Sequence, residues 1–257
     1  MPEDTTPKPV IDLTVVMPVK DEAGNVAPLV GEIDAALAGQ TSYEIVIVDD
    51  GSEDGTSHEA NDLAATHDHI RALHHVHGCG QSQAIISGVL IARGEWIATI
   101  DGDGQNVPAD FQKFLEARAS AGREAARTLF IGERIKRRDS SLRHLASRFA
   151  NLVRAALLGD RTPDAGCGLK LLQRDMFLRL PHFNSLHRFM PALTMRAGGR
   201  VVSIPVAHRP RTKGRSKYGI WMRGLIGVVD LLGVIWLKLR HTKPTVHERD
   251  HKPDRSE

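Results

Sequence analysis

Short apolar runs alternate with longer amphipathic segments through most of the chain. Branched, apolar runs predict strands at residues 13–17, 44–48, 70–73, 96–100, 128–131 and 201–206. Between them, helical periodicity predicts helices at 26–38, 56–65, 82–92, 109–120 and 142–158. Strand, helix, strand at this spacing is the pattern of an α/β fold built on a mostly parallel sheet. Ligands on such sheets bind beyond the carboxyl ends of the strands. The residues that follow each strand are therefore the candidates for chemistry.

Polar residues are concentrated there. The first strand runs into Lys20-Asp21-Glu22-Ala23-Gly24-Asn25, where Asp21 or Asn25 can cap the next helix. The second runs into Asp49-Asp50-Gly51-Ser52, and only one of the two aspartates can face a given cleft because successive strand residues alternate. A carboxylate at that point can accept from a ribose hydroxyl or a base N–H; Asp54 and Thr56 read as helix-capping residues.

The fourth strand ends in Asp101-Gly102-Asp103-Gly104-Gln105. Asp101 and Asp103 lie two apart on extended backbone and project to one side. Two like charges so placed repel unless a cation lies between them, and hard oxygen ligands suit Mg²⁺ or Mn²⁺. Asp-Gly pairs are also ordinary turn chemistry, but an apolar strand leading straight into paired carboxylates favours the metal. A later cluster, Asp164-Ala165-Gly166-Cys167-Gly168-Leu169-Lys170, places glycines around a cysteine that reads as buried filler. Asp164 caps a helix or lines an acceptor site.

Composition narrows the class. At 257 residues, 41% hydrophobic and 25% charged, the chain can bury a real core. Aromatics at 5% argue against a base-stacking nucleic-acid binder, and a net charge of +3 is too small for bulk polyanion binding. Two cysteines provide no disulfide framework, so a cytoplasmic chain is expected. His67, His69, His74, His75 and His77 crowd one region without the spacing of a zinc motif and are not read as a metal site. Gly78-Cys79-Gly80-Gln81-Ser82 is either a plain turn or a loop that meets phosphate through its N–H groups.

With these residues assembled, the chain resembles glycosyltransferase family 2, in its polyprenyl-phosphate (dolichol-phosphate mannosyltransferase-like) branch. The resemblance rests on Val16 to Glu22, Val46 to Ser52, Asp101 to Gln105, Asp164 to Lys170 and His208 to Tyr218, in order through most of the chain. It implies a GT-A fold over residues 13–218, between a disordered lead (1–12) and, after an apolar helix (219–240), a disordered tail (241–257). It also implies that Pro18, Glu22 and Asp50 hold the nucleotide, and that Asp101, Asp103 and Gln105 form the metal and diphosphate site. Arg134 of a G-x-R motif, with Arg211, Ser216 and Lys217 of a late basic motif, is implied to grip the acceptor phosphate. Asp101, Asp103, Asp164 and Arg134 would carry catalysis. Lys20 and Asp21 depart from the family pattern, in which Asn is common at the second position, so base recognition differs more than catalysis.

The activity so implied is inverting, metal-dependent transfer from a nucleotide sugar to a polyprenyl phosphate at the cytoplasmic face of a membrane. Arg209, Arg211, Lys213, Arg215 and Lys217 put five positive charges in nine residues, suited to phosphate; a solvated basic loop is the competing reading. Arg134 to Arg138 forms a second basic stretch, fit for the same pocket or an anionic bilayer. Residues 224–237 are too short an apolar run to span a bilayer and are interrupted by Asp230, so a helix lying in the interface is expected, with a buried core helix as the alternative. The segment 187–193 reads as a lipid-tunnel wall or core. Alternatives are transfer to a hydroxyl acceptor, a nucleotidyltransferase, and a non-catalytic scaffold.

Overall fold

The computed structural model describes residues 10–135, 157–160, 162–210, 220–240 and 242. Its strands are β1 (Leu13–Val19), β2 (Tyr43–Asp49), β3 (Ile70–His74), β4 (Trp96–Thr99), β5 (Thr128–Arg134), β6 (Lys170–Gln173) and β7 (Arg200–Val206). Its helices are α1 (Val26–Leu37), α2 (Thr56–Thr66), α3 (Gln81–Ile91), α4 (Phe111–Ala121), α5 (Arg174–Leu178), α6 (Leu186–Arg196) and α7 (Ile220–Leu239). The strands form one seven-stranded sheet in the order β3-β2-β1-β4-β6-β5-β7. Every pairing is parallel except those of β6, which runs antiparallel to both β4 and β5.

Alternation along β1 explains the layering. Leu13, Val15, Met17 and Val19 pack with α1 and α4 on one face, whereas Val16 packs with α3 and α6 on the other. Helices on both faces leave the central strands almost wholly apolar, as a sheet buried on two sides requires.

Six strands fall where the apolar runs predict them. β6 has no counterpart among those runs: Lys-Leu-Leu-Gln has no β-branched residue and only four positions, and it is a strand because β4 and β5 flank it. The 187–193 segment belongs to α6, whose Phe189, Met190, Ala192 and Leu193 are buried in the core. The helix expected at 142–158 lies almost wholly outside the described residues, as do Lys136 to Arg138.

α7 is inside out. Val234 is buried and Leu231, Ile235 and Leu237 pack against the core, while Lys238 donates to the Leu158 carbonyl. The opposite face carries Val228, Val229, Leu232, Trp236 and Leu239, all more than half exposed. Asp230 lies on the same helical stripe as Val234 and Lys238, and its Oδ2 is buried without a hydrogen-bond partner among the described residues. The helix is thus both a core element and the bearer of an uncovered apolar face. Among the described residues, no helix is long and apolar enough to cross a membrane.

Candidate active site

The carboxyl ends of β1, β2 and β4 meet at one edge of the sheet. Asp101 lies two residues beyond β4, where the chain leaves the extended conformation expected of Asp101–Asp103 and turns at Gly102 and Asp103; its Oδ1 accepts a hydrogen bond from the Gln81 side-chain amide at 2.7 Å. Gly168 presses on the same carboxyl group: a Cβ there would collide with Asp101 Cγ and both its oxygens, so only glycine fits. Gly102 is constrained likewise by Val19 at the end of β1. Burial and the neighbouring Asp103 charge push the Asp101 carboxyl up to about 6, while Lys170, Arg134 and the Gln81 amide act in the opposite direction. Asp103 accepts from the Gln105 backbone N–H at 3.1 Å, which folds the loop back under it.

Two cations stand behind these acids. Arg134, at the end of β5, donates through Nε and Nη2 to both oxygens of Asp164, at 2.5 and 2.7 Å. Both partners are largely buried, and the fork holds the Arg134 guanidinium even more firmly protonated. Lys170, the first residue of β6, is 3% exposed and donates to the Cys167 carbonyl. Burial lowers its pKa, while the Asp101 and Asp164 charges support the ammonium. Cys167 is fully buried and its thiol is pushed up by burial, in keeping with a packing role.

The β2 end is closed by backbone. Asp50 Oδ1 accepts from the Cys79 N–H at 2.7 Å and pairs with His75 Nδ1 at 2.8 Å, and Oδ2 accepts from the Gly80 N–H at 2.8 Å. Two of the loop N–H groups named as phosphate donors, those of Cys79 and Gly80, are therefore engaged by Asp50. A carboxylate offers about four acceptor positions, so Asp50 retains room for one further donor. Asp49 faces the other way, toward Ser52, Ser57 and His74.

The first loop is bound to the second. Lys20 Nζ donates to the Asp50 carbonyl at 3.0 Å, and Asp21 receives the Glu53 N–H at 2.7 Å. Asp21 has φ 50, a left-handed conformation that aspartate and asparagine tolerate better than other side chains, so the departure from Asn keeps the backbone requirement. Pro18 lies in β1 opposite Val48. Glu22 is buried; its N–H donates to Thr56 Oγ1 and its carboxylate accepts from Asn25 at 2.7 Å. Asn25 occupies the N-cap of α1, but its side chain is turned to Glu22 rather than to the helix. A cleft of about 420 Å³ opens at the β2 and β3 ends, lined by Lys20, Ser52, His74 and His77 among others.

Of the late basic motif, Arg209 is described and is committed elsewhere: its guanidinium donates to the Gly104 carbonyl and to Glu32 at 2.9 Å. Its backbone N–H meets the Gln105 carbonyl at 3.0 Å, which brings the chain against the Asp101–Gln105 loop. Arg211, Ser216 and Lys217 lie outside the described residues. The structure therefore gathers Asp101, Asp103, Gln105, Arg134 and Asp164 around the β4 end, with Pro18, Glu22 and Asp50 at the β1 and β2 ends.

Three further side chains join the site without a local motif to announce them. Lys170 looked like the edge of a motif, Gln81 like turn chemistry, and His187 like tunnel wall. His187 Nδ1 pairs with Ser82 Oγ at 2.8 Å, and burial together with Lys170 pushes its pKa down to about 3, so it stays neutral. One loop thereby links three places: Cys79 and Gly80 to Asp50, Gln81 to Asp101, and Ser82 to α6. A glycine-flanked polar run opening a helix was the available signal.

Comparison with known proteins gives the arrangement a family context. The model of glycosyl transferase family 2 matches residues 14–180. Dodecaprenyl-phosphate galacturonate synthase of Rhizobium johnstonii is 31% identical over 239 residues, covering 91% of this chain and 69% of that protein. Undecaprenyl-phosphate 4-deoxy-4-formamido-L-arabinose transferase of Klebsiella pneumoniae is 33% identical over 226 residues, covering 87% and 67%. Among solved structures, glucosyl-3-phosphoglycerate synthase from Mycobacterium tuberculosis with Mn²⁺ and UDP-glucose superposes with a TM-score of 0.65 at 16% identity, covering 88% of this chain and 79% of that one. A mannosyltransferase from Pyrobaculum calidifontis with GDP-Man and Mn²⁺ gives 0.60 at 19% identity, covering 95% and 69%. The shared fold is GT-A.

Proposed function

The chain belongs to glycosyl transferase family 2, and on that premise we propose that it transfers a sugar, with inversion, from a nucleotide diphosphate to a polyprenyl phosphate. The product would be a lipid-linked sugar serving as donor for cell-envelope glycan or lipid modification. The observation that carries the reading is the arrangement of charge at the β4 end: two carboxylates that repel each other, backed by the buried cations Arg134 and Lys170.

The donor set fits a hard divalent ion. Asp101, Asp103 and the Gln105 side chain offer only oxygen toward Mg²⁺ or Mn²⁺, and the repulsion felt by Asp101 is what a cation relieves. Once bound, the ion supplies Lewis-acid stabilisation of the departing nucleotide diphosphate. The chain's own residues do the rest. Gln81 and Gly168 fix the orientation of the Asp101 carboxylate. Pro18, Glu22 and Asp50 take the nucleoside end of the donor. Arg134 and the late-motif Arg211, Ser216 and Lys217 cover the charge of the acceptor phosphate, which would otherwise repel the donor diphosphate.

An acceptor phosphate is already ionised near neutral pH and needs no strong base. Asp164, the carboxylate that would serve a hydroxyl acceptor, is engaged at both oxygens by Arg134. That engagement supports the lipid phosphate over the hydroxyl alternative. The names of both curated relatives point to the same acceptor class. The exposed apolar face of α7, bearing Trp236, supports peripheral seating of the enzyme on the cytoplasmic membrane surface, where a polyprenyl phosphate resides.

The test is incubation with a panel of nucleotide sugars, Mn²⁺ and a short polyprenyl phosphate, read by product mass and by lability to mild acid. An acid-labile glycosyl phosphate is expected. Absence of product with every donor, or transfer only to a hydroxyl acceptor, would overturn the proposal.

A further inference from the structure

Histidines close in sequence carry no metal motif, yet folding joins one of them to two ligands from elsewhere. A ring nitrogen of His75, an Asp50 carboxylate oxygen and Cys79 Sγ all lie within 4.8 Å of one another, and His75 Nδ1 is 2.8 Å from Asp50 Oδ1. The neighbouring histidines are used differently, His74 by Asp49 and Asn61 and His69 by Asp34.

We propose that Asp50, His75 and Cys79 form a second metal site, for a thiophilic divalent ion of the Zn²⁺ class, whose occupation excludes the donor nucleotide. The chemistry differs from that of Asp101 and Asp103: a thiolate and an imidazole favour Zn²⁺ or Co²⁺ over Mg²⁺ and Mn²⁺. Three protein ligands leave a fourth tetrahedral position open to water.

The surroundings are built as metal sites are. The second ring nitrogen of His75 meets Ser87 Oγ on α3 at 2.9 Å, the outer contact that holds a ligating imidazole in orientation and tautomer. Asp50 is held by the Cys79 and Gly80 N–H groups at 2.7 and 2.8 Å, so its oxygens keep their place when His75 turns from hydrogen-bond donor to ligand. Cys79 is exposed, which gives an ion a path from solvent. The three ligands would close on the ion by a change of thiol rotamer.

The exclusion rests on the proposed placement of the nucleotide at Asp50; the binding of the ion does not. The ion takes the Asp50 position that the His75 N–H gives up, and its positive charge and the water in its fourth position then stand against the one acceptor position left for the nucleoside. Excess zinc or cadmium would therefore act as a competitor of the donor, at a place remote from the hard-metal pair in ligand type.

The experiment titrates Co²⁺ into the full-length protein with saturating Mg²⁺ to occupy the hard-ligand site. It follows thiolate-to-cobalt charge transfer in the near ultraviolet, with and without nucleoside diphosphate. The expected result is one cobalt band, abolished by Zn²⁺ and by Cys79→Ser, and suppressed by nucleoside diphosphate. Ser87→Ala, which keeps all three ligands, should weaken cobalt binding about tenfold by releasing the His75 ring. A missing band in folded wild-type protein, a band that survives Cys79→Ser, or a band indifferent to bound nucleotide would overturn the inference. Parallel calorimetry of nucleoside diphosphate with Mn²⁺ separates the two readings. Nucleotide binding without a cobalt band defeats the thiophilic site alone, and a cobalt band without nucleotide binding defeats the donor assignment and with it the exclusion.

Discussion

The two ends of the central strands both bury carboxylates, and two of these, Glu44 at one end and Asp101 at the other, are treated in opposite ways. At the amino end, Glu44 is 1% exposed in its side chain and its charge is met from several sides. Thr14 Oγ1 donates at 2.8 Å, the Arg93 N–H at 2.7 Å, and Arg71 approaches the other oxygen at 3.4 Å. At the carboxyl end, Asp101 is offered one side-chain amide, faces another aspartate, and has its pKa raised. A carboxylate with its acceptor positions filled ties strands together. One held in place against a like charge stores unfavourable energy that a ligand can release.

This contrast is open to direct attack. The largest difference is expected from paired substitutions. Asp101→Ala should reduce sugar transfer on the order of a thousandfold while leaving the melting temperature level or raised. Glu44→Ala should do the reverse, costing about 3 kcal/mol of stability in denaturant melts by orphaning its partners, with turnover per folded molecule retained. If both substitutions damaged activity and stability alike, the division between the ends would fail.

Next comes Arg134→Lys, which keeps the charge but loses the fork to Asp164. Steady-state kinetics should show turnover down by about a hundredfold, with little change in donor KM.

Acid has a gentler effect on Asp101. Asp101 titrates at about 6 in the metal-free protein, so a metal that must displace its proton should bind about tenfold more weakly per unit as pH falls below that point. The sign for folding is opposite. A carboxyl raised above its unfolded value of about 3.9 takes up its proton first in the folded state, so this group makes the metal-free fold more stable as pH falls from 6 toward 4. Manganese titrations and thermal melts across that range check both directions. Smallest, Trp236→Ser on the exposed face of α7 should weaken sedimentation with anionic vesicles about tenfold while leaving transfer to a soluble short-chain acceptor intact.

What the chain discloses by itself follows from distance along the backbone. β1, β2 and β4 are dense in branched residues, and their polar ends follow at once, so Asp50, Asp101 and Asp103 could be read locally. β6 could not, because Lys170 to Gln173 are a strand only by virtue of β4 and β5 on either side. The same holds for Lys170, whose proximity to Asp101 depends on that antiparallel insertion, with Thr99 opposite Lys170. Asp50 was legible as a site residue, but its engagement by His75, Cys79 and Gly80 depends on a segment 25 to 30 residues later. For α7 the apolar composition was plain; which face it buries was decided by the core around Val234.

Sugar transfer by this mechanism depends on Asp101 and Asp103 holding a divalent ion together with the donor diphosphate. Electron paramagnetic resonance of free Mn²⁺, titrated into the protein with nucleoside diphosphate and compared with the Asp101→Asn and Asp103→Asn variants, tests it most directly. Wild-type protein should take up manganese beyond that held by the nucleotide alone, and each variant should lose this uptake. Equal manganese binding by wild type and variants would contradict it.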